Sequence, residues 1–220
     1  MKDSNGYDVS GADGAAIDRL ETAIDRYRCL GADALACADA AIAQAPGMPL
    51  AHALRAWLIL SSAEGQALPL ARASLLQAQA LPHNEREALH LQAISHWCAG
   101  QWRAAARVLE DLSVRWPLDS LALRAGHTLD YHLGDTRMLH DRIARAMPAW
   151  SPGRPGWHAV LSMMAFGLEE NGAYAQAEQL GRQALELRDD DAWAQHAVVH
   201  VLEMQGRHDE GVSWMTRHTR

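Results

Sequence analysis

Three side chains near the C-terminal end of the chain stand at a spacing that brings chemistry together. His196, His200 and Glu203 lie at i, i+4 and i+7, which on a helix of 3.6 residues per turn falls within about 60° of arc. Two imidazoles one turn apart can share a divalent metal. A carboxylate one turn further can ligate the same ion or relay a proton. The segment His196-Ala-Val-Val-His200 lacks the glutamate that directly follows the first histidine in zinc proteases. Glu169 or Glu170 can close such a site from a preceding helix, and the donor set suits iron, manganese or zinc without choosing among them. With 12 histidines in the chain, an i, i+4 pair is also easily met by chance. It then serves only packing and hydrogen bonds to neighbouring carboxylates.

Other residues carry weaker signals. His127 and Asp130 are three apart, close enough for the carboxylate to orient the imidazole as a buried pair. Arg86, Glu87 and His90 follow Asn84, a good helix N-cap, and Glu87 with His90 reads as an ordinary i, i+3 pair. Most of the 8 tryptophans read as packing between helices. Cys29, Cys37 and Cys98 have no activating base nearby in the sequence and read as small helix residues. There is no GxSxG elbow, P-loop or dinucleotide fingerprint.

These residues need helices to position them. The chain of 220 residues contains 41 alanines and 8 prolines, and Ala has the best intrinsic helix propensity. An all-α fold is expected. The net charge of −7 is spread along the chain, which argues against a nucleic-acid surface. Three cysteines without a CxxC pair fit a reducing compartment, and no apolar run approaches the roughly 18 residues of a membrane span. A cytoplasmic protein with no membrane partner is expected. Glycines recur at Gly31, Gly65, Gly100, Gly134, Gly172 and Gly206, spaced by 34, 35, 34, 38 and 34 residues. Five residues after each come Ala36, Leu70, Ala105, Leu139, Ala177 and Gly211, mostly small. Seventeen after come Met48, Pro82, Pro117, Ser151 and Asp189, at which a second helix must end. The longer interval falls in 148–157, where three prolines and two glycines demand a long connection.

A unit of about 34 residues that reads helix–turn–helix resembles the tetratricopeptide repeat. The segment from Asn171 to Leu187 carries the likeness most clearly. The resemblance implies a right-handed superhelix of about six hairpins over 15–220, preceded by a flexible tail over 1–14. Four segments, 81–90, 126–135, 165–170 and above all 191–207, are also similar to the tetratricopeptide repeat protein 38 family. Its members are longer, so the chain is expected to be an N-terminal half or a shortened member.

In such repeats the first helix of each hairpin lines the concave groove. That places Glu87, His90, Trp97, Arg124, Tyr131, Glu169, Trp193, His196, His200 and Glu203 there, with Trp97 and Trp193 positioned to stack on a ligand. The 148–157 connection is a candidate lip over it. The function expected is that of a non-enzymatic scaffold, its groove holding a peptide, a protein segment or a small ligand and needing no cofactor. With Lys2 as the single lysine, a lysine-rich clamp for acidic peptide tails is not expected. The alternative is a metal-binding protein or metal-dependent enzyme centred on His196, His200 and Glu203. Val212, Trp214 and Met215 close the last helix, and a second copy of the chain is expected to cover them.

Overall fold

Twelve α-helices account for most of the 218 residues, 1–218, that the computed structural model describes. They are α1 (Gly14–Arg28), α2 (Ala34–Gln44), α3 (Pro49–Ser61), α4 (Leu68–Gln79), α5 (Glu85–Cys98), α6 (Trp102–Arg115), α7 (Ser120–Leu133), α8 (Thr136–Ala146), α9 (Trp157–Glu169), α10 (Tyr174–Leu187), α11 (Ala192–Met204) and α12 (His208–His218). Single 3-10 turns precede α4 and follow α8. No strand occurs among the described residues; Lys2 and Asp8 form an isolated bridge. No helix among them is long and apolar enough to cross a membrane.

Local chemistry explains where the helices begin. Asp13, Asn84, Asp119, Asp135 and Asp191 each cap a helix by accepting from backbone amides of its first turn. Asn84 does so within a capping box completed by Glu87. Pro49 starts α3, where its missing N–H costs nothing.

Every helix packs on the next in sequence, and the odd-numbered helices also touch one another: α1 with α3, α3 with α5, α7 with α9, α9 with α11. The odd helices form an inner layer, and α3, α7 and α9 are buried along nearly their whole length. The even helices α2, α4, α6 and α10 bury a single stripe. Alanine makes the close approach possible, with Ala38, Ala71, Ala105, Ala177 and Ala184 fully enclosed at the contacts. α1 and α3 also reach across the inner layer to α7.

The glycine ladder marks the turns accurately from Gly100 onward and slips before it. Gly100, Gly134, Gly172 and Gly206 have φ of 74°, 65°, 79° and 71°, the left-handed conformation that glycine adopts without strain. In each of these four hairpins the second helix starts two residues later, and the residue five after the glycine is buried. In the first two hairpins the left-handed residue is Leu30 (φ 56°) or Ala63 (φ 54°). Gly31 and Gly65 therefore follow the turn instead of making it. The second helix starts three residues after each, and Ala36 and Leu70 face solvent. All five connections expected seventeen residues after a glycine contain a helix break.

The N-terminal stretch is not the flexible tail expected from its polar composition. Val9 is buried, Ser10 N donates to Glu87 Oε1 (2.9 Å), and Asn84 Nδ2 and Arg86 Nη2 donate to the Asp8 carbonyl (3.0 and 3.1 Å). Asn5 Nδ2 donates to the Leu118 carbonyl and the Leu118 amide donates to the Tyr7 hydroxyl. Gly11 lies so close to the loop before α3 that a Cβ on it would come within 1.9 Å of the Gly47 oxygen. At the other end, Trp214 is buried under the Arg182 guanidinium, 4.5 Å from its ring centroid, so it does not share the exposure of Val212 and Met215. In the 148–157 segment, expected as a lip, Gly156 lies against the Arg28 guanidinium of α1 and Trp150 Nε1 donates to the Pro117 carbonyl.

The slipped turns generate a stability prediction. Ala63 is exposed and held at positive φ, so Ala63→Gly relieves strain and should raise the unfolding free energy by about 0.5–1 kcal/mol. Gly134→Ala should lower it by about 1 kcal/mol, since a methyl there meets no neighbour and the whole effect is backbone strain. Urea denaturation reads both; equal and opposite signs to these would refute the assignment of the turns.

Candidate functional site

The residues expected along one groove separate into a buried set and an accessible set. Glu87, His90, Trp97, Arg124 and Trp193 are all buried. Glu87 completes the α5 cap and accepts from Ser10 N. It does not pair with His90. The Trp57 indole N–H points at His90 Nδ1 (3.1 Å) and His90 Nε2 faces Asp119 Oδ2 (3.1 Å), so the ring donates to the carboxylate. Arg86 Nη1 donates to the same oxygen at 2.7 Å. Burial opposes ionisation of Asp119, but His90, Arg86 and the Ala122 amide outweigh it and hold its carboxyl well below the usual range. Trp97 packs between Trp57 and Trp102. These residues are a structural core.

His127 and Asp130 do not pair either. His127 Nε2 donates to the Met163 carbonyl (3.0 Å), and burial depresses its pKa. Asp130 instead takes both arms of the Arg142 guanidinium (2.6 and 2.9 Å). Gly126 makes room for that guanidinium, which lies where its Cβ would be.

A second buried polar group joins α1 to the helices at the other end of the chain. Asp191, fully buried, caps α11 and receives His158 Nδ1 at 2.8 Å. His158 Nε2 lies 3.5 Å from Asp25 Oδ1 of α1, and Arg28 and Arg188 pair with the same carboxylate (2.9 and 2.7 Å). Arg26 reaches Asp190 (2.9 Å), Ala192 N donates to the Cys29 carbonyl, and Arg28 Nη1 donates to Ser120 Oγ. Asp25, Cys29 and His158 place their ligand atoms within 4.8 Å of one another. Burial pushes the Cys29 thiol up to about 12, which keeps it protonated. The group is a clasp between helices.

The clasp places the C-terminal end of α1 against the inner layer. Arg124 of α7 is enclosed there with no carboxylate partner. Its guanidinium stacks over Trp193 (4.5 Å) and Tyr27 (5.5 Å), Nη1 donates to Thr128 Oγ1 (2.9 Å), and Nε has no acceptor. Burial lowers its pKa.

Beside it, α7, α9 and α11 build the accessible face. Tyr131 is half exposed and lies 6.0 Å from the Phe166 ring. Phe166 packs on Trp193 (4.7 Å) and on His196 (5.6 Å). His196 stacks on Trp193 (5.4 Å, 21° between planes) and is 4.1 Å from His200. His200 Nδ1 lies 3.6 Å from Glu169 Oε2, too long for a hydrogen bond but within ion-pair range. The Glu169 carboxylate raises the His200 pKa; burial and the neighbouring His200 lower that of His196. Burial and the Glu169 charge raise that of Glu170.

The carboxylates beside His200 are thus Glu169 and Glu170, grouped with it within 4.8 Å. Glu203, expected as the third member of the set, is not in that group. It is exposed and lines a shallow hollow with Val199, His208, Val212 and Met215. Sequence spacing found the histidines and the helix; it missed His158, Asp191 and Asp119. The cap position of Asp119 and Asp191 before a helix was the available signal. No protein-family model matches the chain.

The clasp carries a pH prediction. Burial would lower the His158 pKa, but Asp191 and Asp25 outweigh it and raise it above the ordinary 6.5. Asp25 is held well below the carboxylate range by His158, Arg28 and Arg188 against the opposing effect of burial. A raised imidazole pKa stabilises fully below about pH 6.5 and is lost as the pH rises through the folded value. A depressed carboxylate pKa stabilises above about pH 4 and is lost as the pH falls. The urea midpoint of the native chain should exceed that of His158→Gln most at about pH 5.5, and the gap should narrow by about pH 9. A gap independent of pH would contradict the charged clasp.

Proposed function

We propose that the chain is a helical-repeat binding scaffold whose working surface is the face built by α7, α9 and α11. In this reading the twelve helices are six tetratricopeptide-like hairpins in a right-handed superhelix, from a shortened or partial relative of the tetratricopeptide repeat protein 38 family, working in the cytoplasm. The recurring left-handed turns and the inner layer of odd-numbered helices support it. The occupant is a small polar ligand or the last residues of a peptide. An extended segment along the whole groove is disfavoured, because Glu87, His90 and Trp97 are committed to the core.

One observation carries the reading: three buried polar atoms on adjacent inner helices lack a hydrogen-bond partner within the protein. They are Arg124 Nε, Trp193 Nε1 and Glu169 Oε2. Buried polar groups in folded proteins are nearly all satisfied, and orphans gathered beside accessible aromatic and histidine side chains mark a place built for polar recognition. Arg124 and Trp193 offer donors, so a carboxylate or another anionic group suits them. Tyr131 and His196 supply flat surfaces for the rest of the ligand.

A thermal-shift screen of short peptides and small carboxylates against the native chain tests this. Binders should lose about tenfold or more in affinity with Trp193→Phe, which keeps the ring and removes the donor, and with His196→Ala. Affinities unchanged in both variants would contradict the site.

A further inference from the structure

We propose that Glu169, Glu170 and His200 form a binding site for one divalent transition cation: manganese, iron or zinc. Their ligand atoms lie within 4.8 Å of one another. A cation with bonds of about 2.0–2.2 Å would sit among them after small side-chain adjustments. Glu170 and His200 are partly exposed and free to make these.

Glu169 is the decisive residue. Its side chain is 95% buried by its 5% exposure, and Oε2 has no hydrogen-bond partner in the protein. A buried carboxylate ordinarily pairs with a cation or binds a metal. Among the described residues, neither Glu169 nor Glu170 has an arginine or lysine within ion-pair distance, and His200 is the single cationic neighbour of Glu169. The two carboxylates also stand at the C-terminal end of α9, where the helix dipole is negative and favours a cation. Two adjacent acids at that pole repel each other, and a divalent ion offsets both.

The donors narrow the metal. Two carboxylates and an imidazole, with no thiolate, suit manganese, iron(II) and zinc and disfavour copper(I). His196 is a positioning residue. Stacked on Trp193 and set against the His200 ring, it fixes the orientation of the ligating imidazole. The second group, Asp25, Cys29 and His158, is unsuited: its acid and imidazole are committed to Arg28, Arg188 and Asp191, and its thiol stays protonated. The metal site shares Glu169 and His196 with the proposed ligand surface but does not need Arg124 or Trp193, and its test involves no organic ligand.

Titration calorimetry of the untagged, chelator-stripped chain with manganese, iron(II) and zinc chlorides decides the matter. One equivalent should bind, with a rise in melting temperature. Glu169→Gln, Glu170→Gln and His200→Ala should each weaken binding by about tenfold or more, while Cys29→Ser leaves it unchanged. Glu170→Gln touches a partly exposed side chain and preserves the fold, so it remains informative if His200→Ala does not fold. Failure of all three ions to bind would overturn the proposal. So would binding that Glu169→Gln and Glu170→Gln leave unaltered, or that Cys29→Ser abolishes.

Discussion

The contact between Asp25 on the first helix, His158 on the ninth and the buried cap Asp191 before the eleventh is the constraint on which the arrangement depends. Asp25 stands 133 and 166 residues from His158 and Asp191, so no local propensity could bring it to them. The surrounding exposed pairs, such as Arg26 with Asp190 (2.9 Å), are each worth about 0–1 kcal/mol. A buried pair is different, because losing one member strands the other and costs about 3–5 kcal/mol. Asp191 is buried completely and does two tasks, capping α11 and receiving His158. Asp119 repeats the device one level down, capping α7 while receiving His90 and Arg86. Both aspartates fix a helix start with one carboxylate oxygen and its distance from the preceding inner helix with the other.

That closure decides what surface remains for function. α1 is drawn against α7 and the segment before α11, and the side chains that would line an open groove on α5 are core, buried against the N-terminal stretch, α3, α6 and Asp119. The face left between α7, α9 and α11 combines aromatic rings, two histidines with oppositely shifted pKa values and two acids at a helix end. Arg124 adds a buried cation with no carboxylate in ion-pair contact among the described residues, which neighbouring aromatic faces stabilise only in part. Such uncompensated groups reduce stability, and they set this face apart from the carboxylate of Asp119, whose two oxygens both receive donors.

Much of the helix plan was legible in the sequence, because turns and caps are local. Gly100, Gly134, Gly172 and Gly206 make left-handed turns that strain any other residue, so they mark hairpins directly. Gly31 and Gly65 misled by one or two residues because Leu30 and Ala63 accept that conformation in their place. The site was legible best along a single helix. Spacing put His196 and His200 together correctly and the repeat offered Glu169 or Glu170 from the preceding helix, but Glu203 was ranked as their acid because i+7 is what a helix wheel sees. The carboxylates beside His200 come from the end of α9, and packing alone sets that approach. For the same reason Asp130 turned to Arg142 and away from His127. The polar N-terminus was misjudged because its order comes from backbone hydrogen bonds to Glu87, Arg86 and Asn84, which composition does not report.

Hydrogen exchange measured by mass spectrometry tests the closure most directly, comparing the native chain with Asp191→Asn. If α1 is held by this clasp, the substitution will raise exchange together in two segments remote in sequence, 25–31 and 188–194. The amides of α5 and α6 should keep their native protection. Increased exchange confined to 188–194, with 25–31 as protected as before, would show that the first helix is held by other means and that the groove is not closed by this contact.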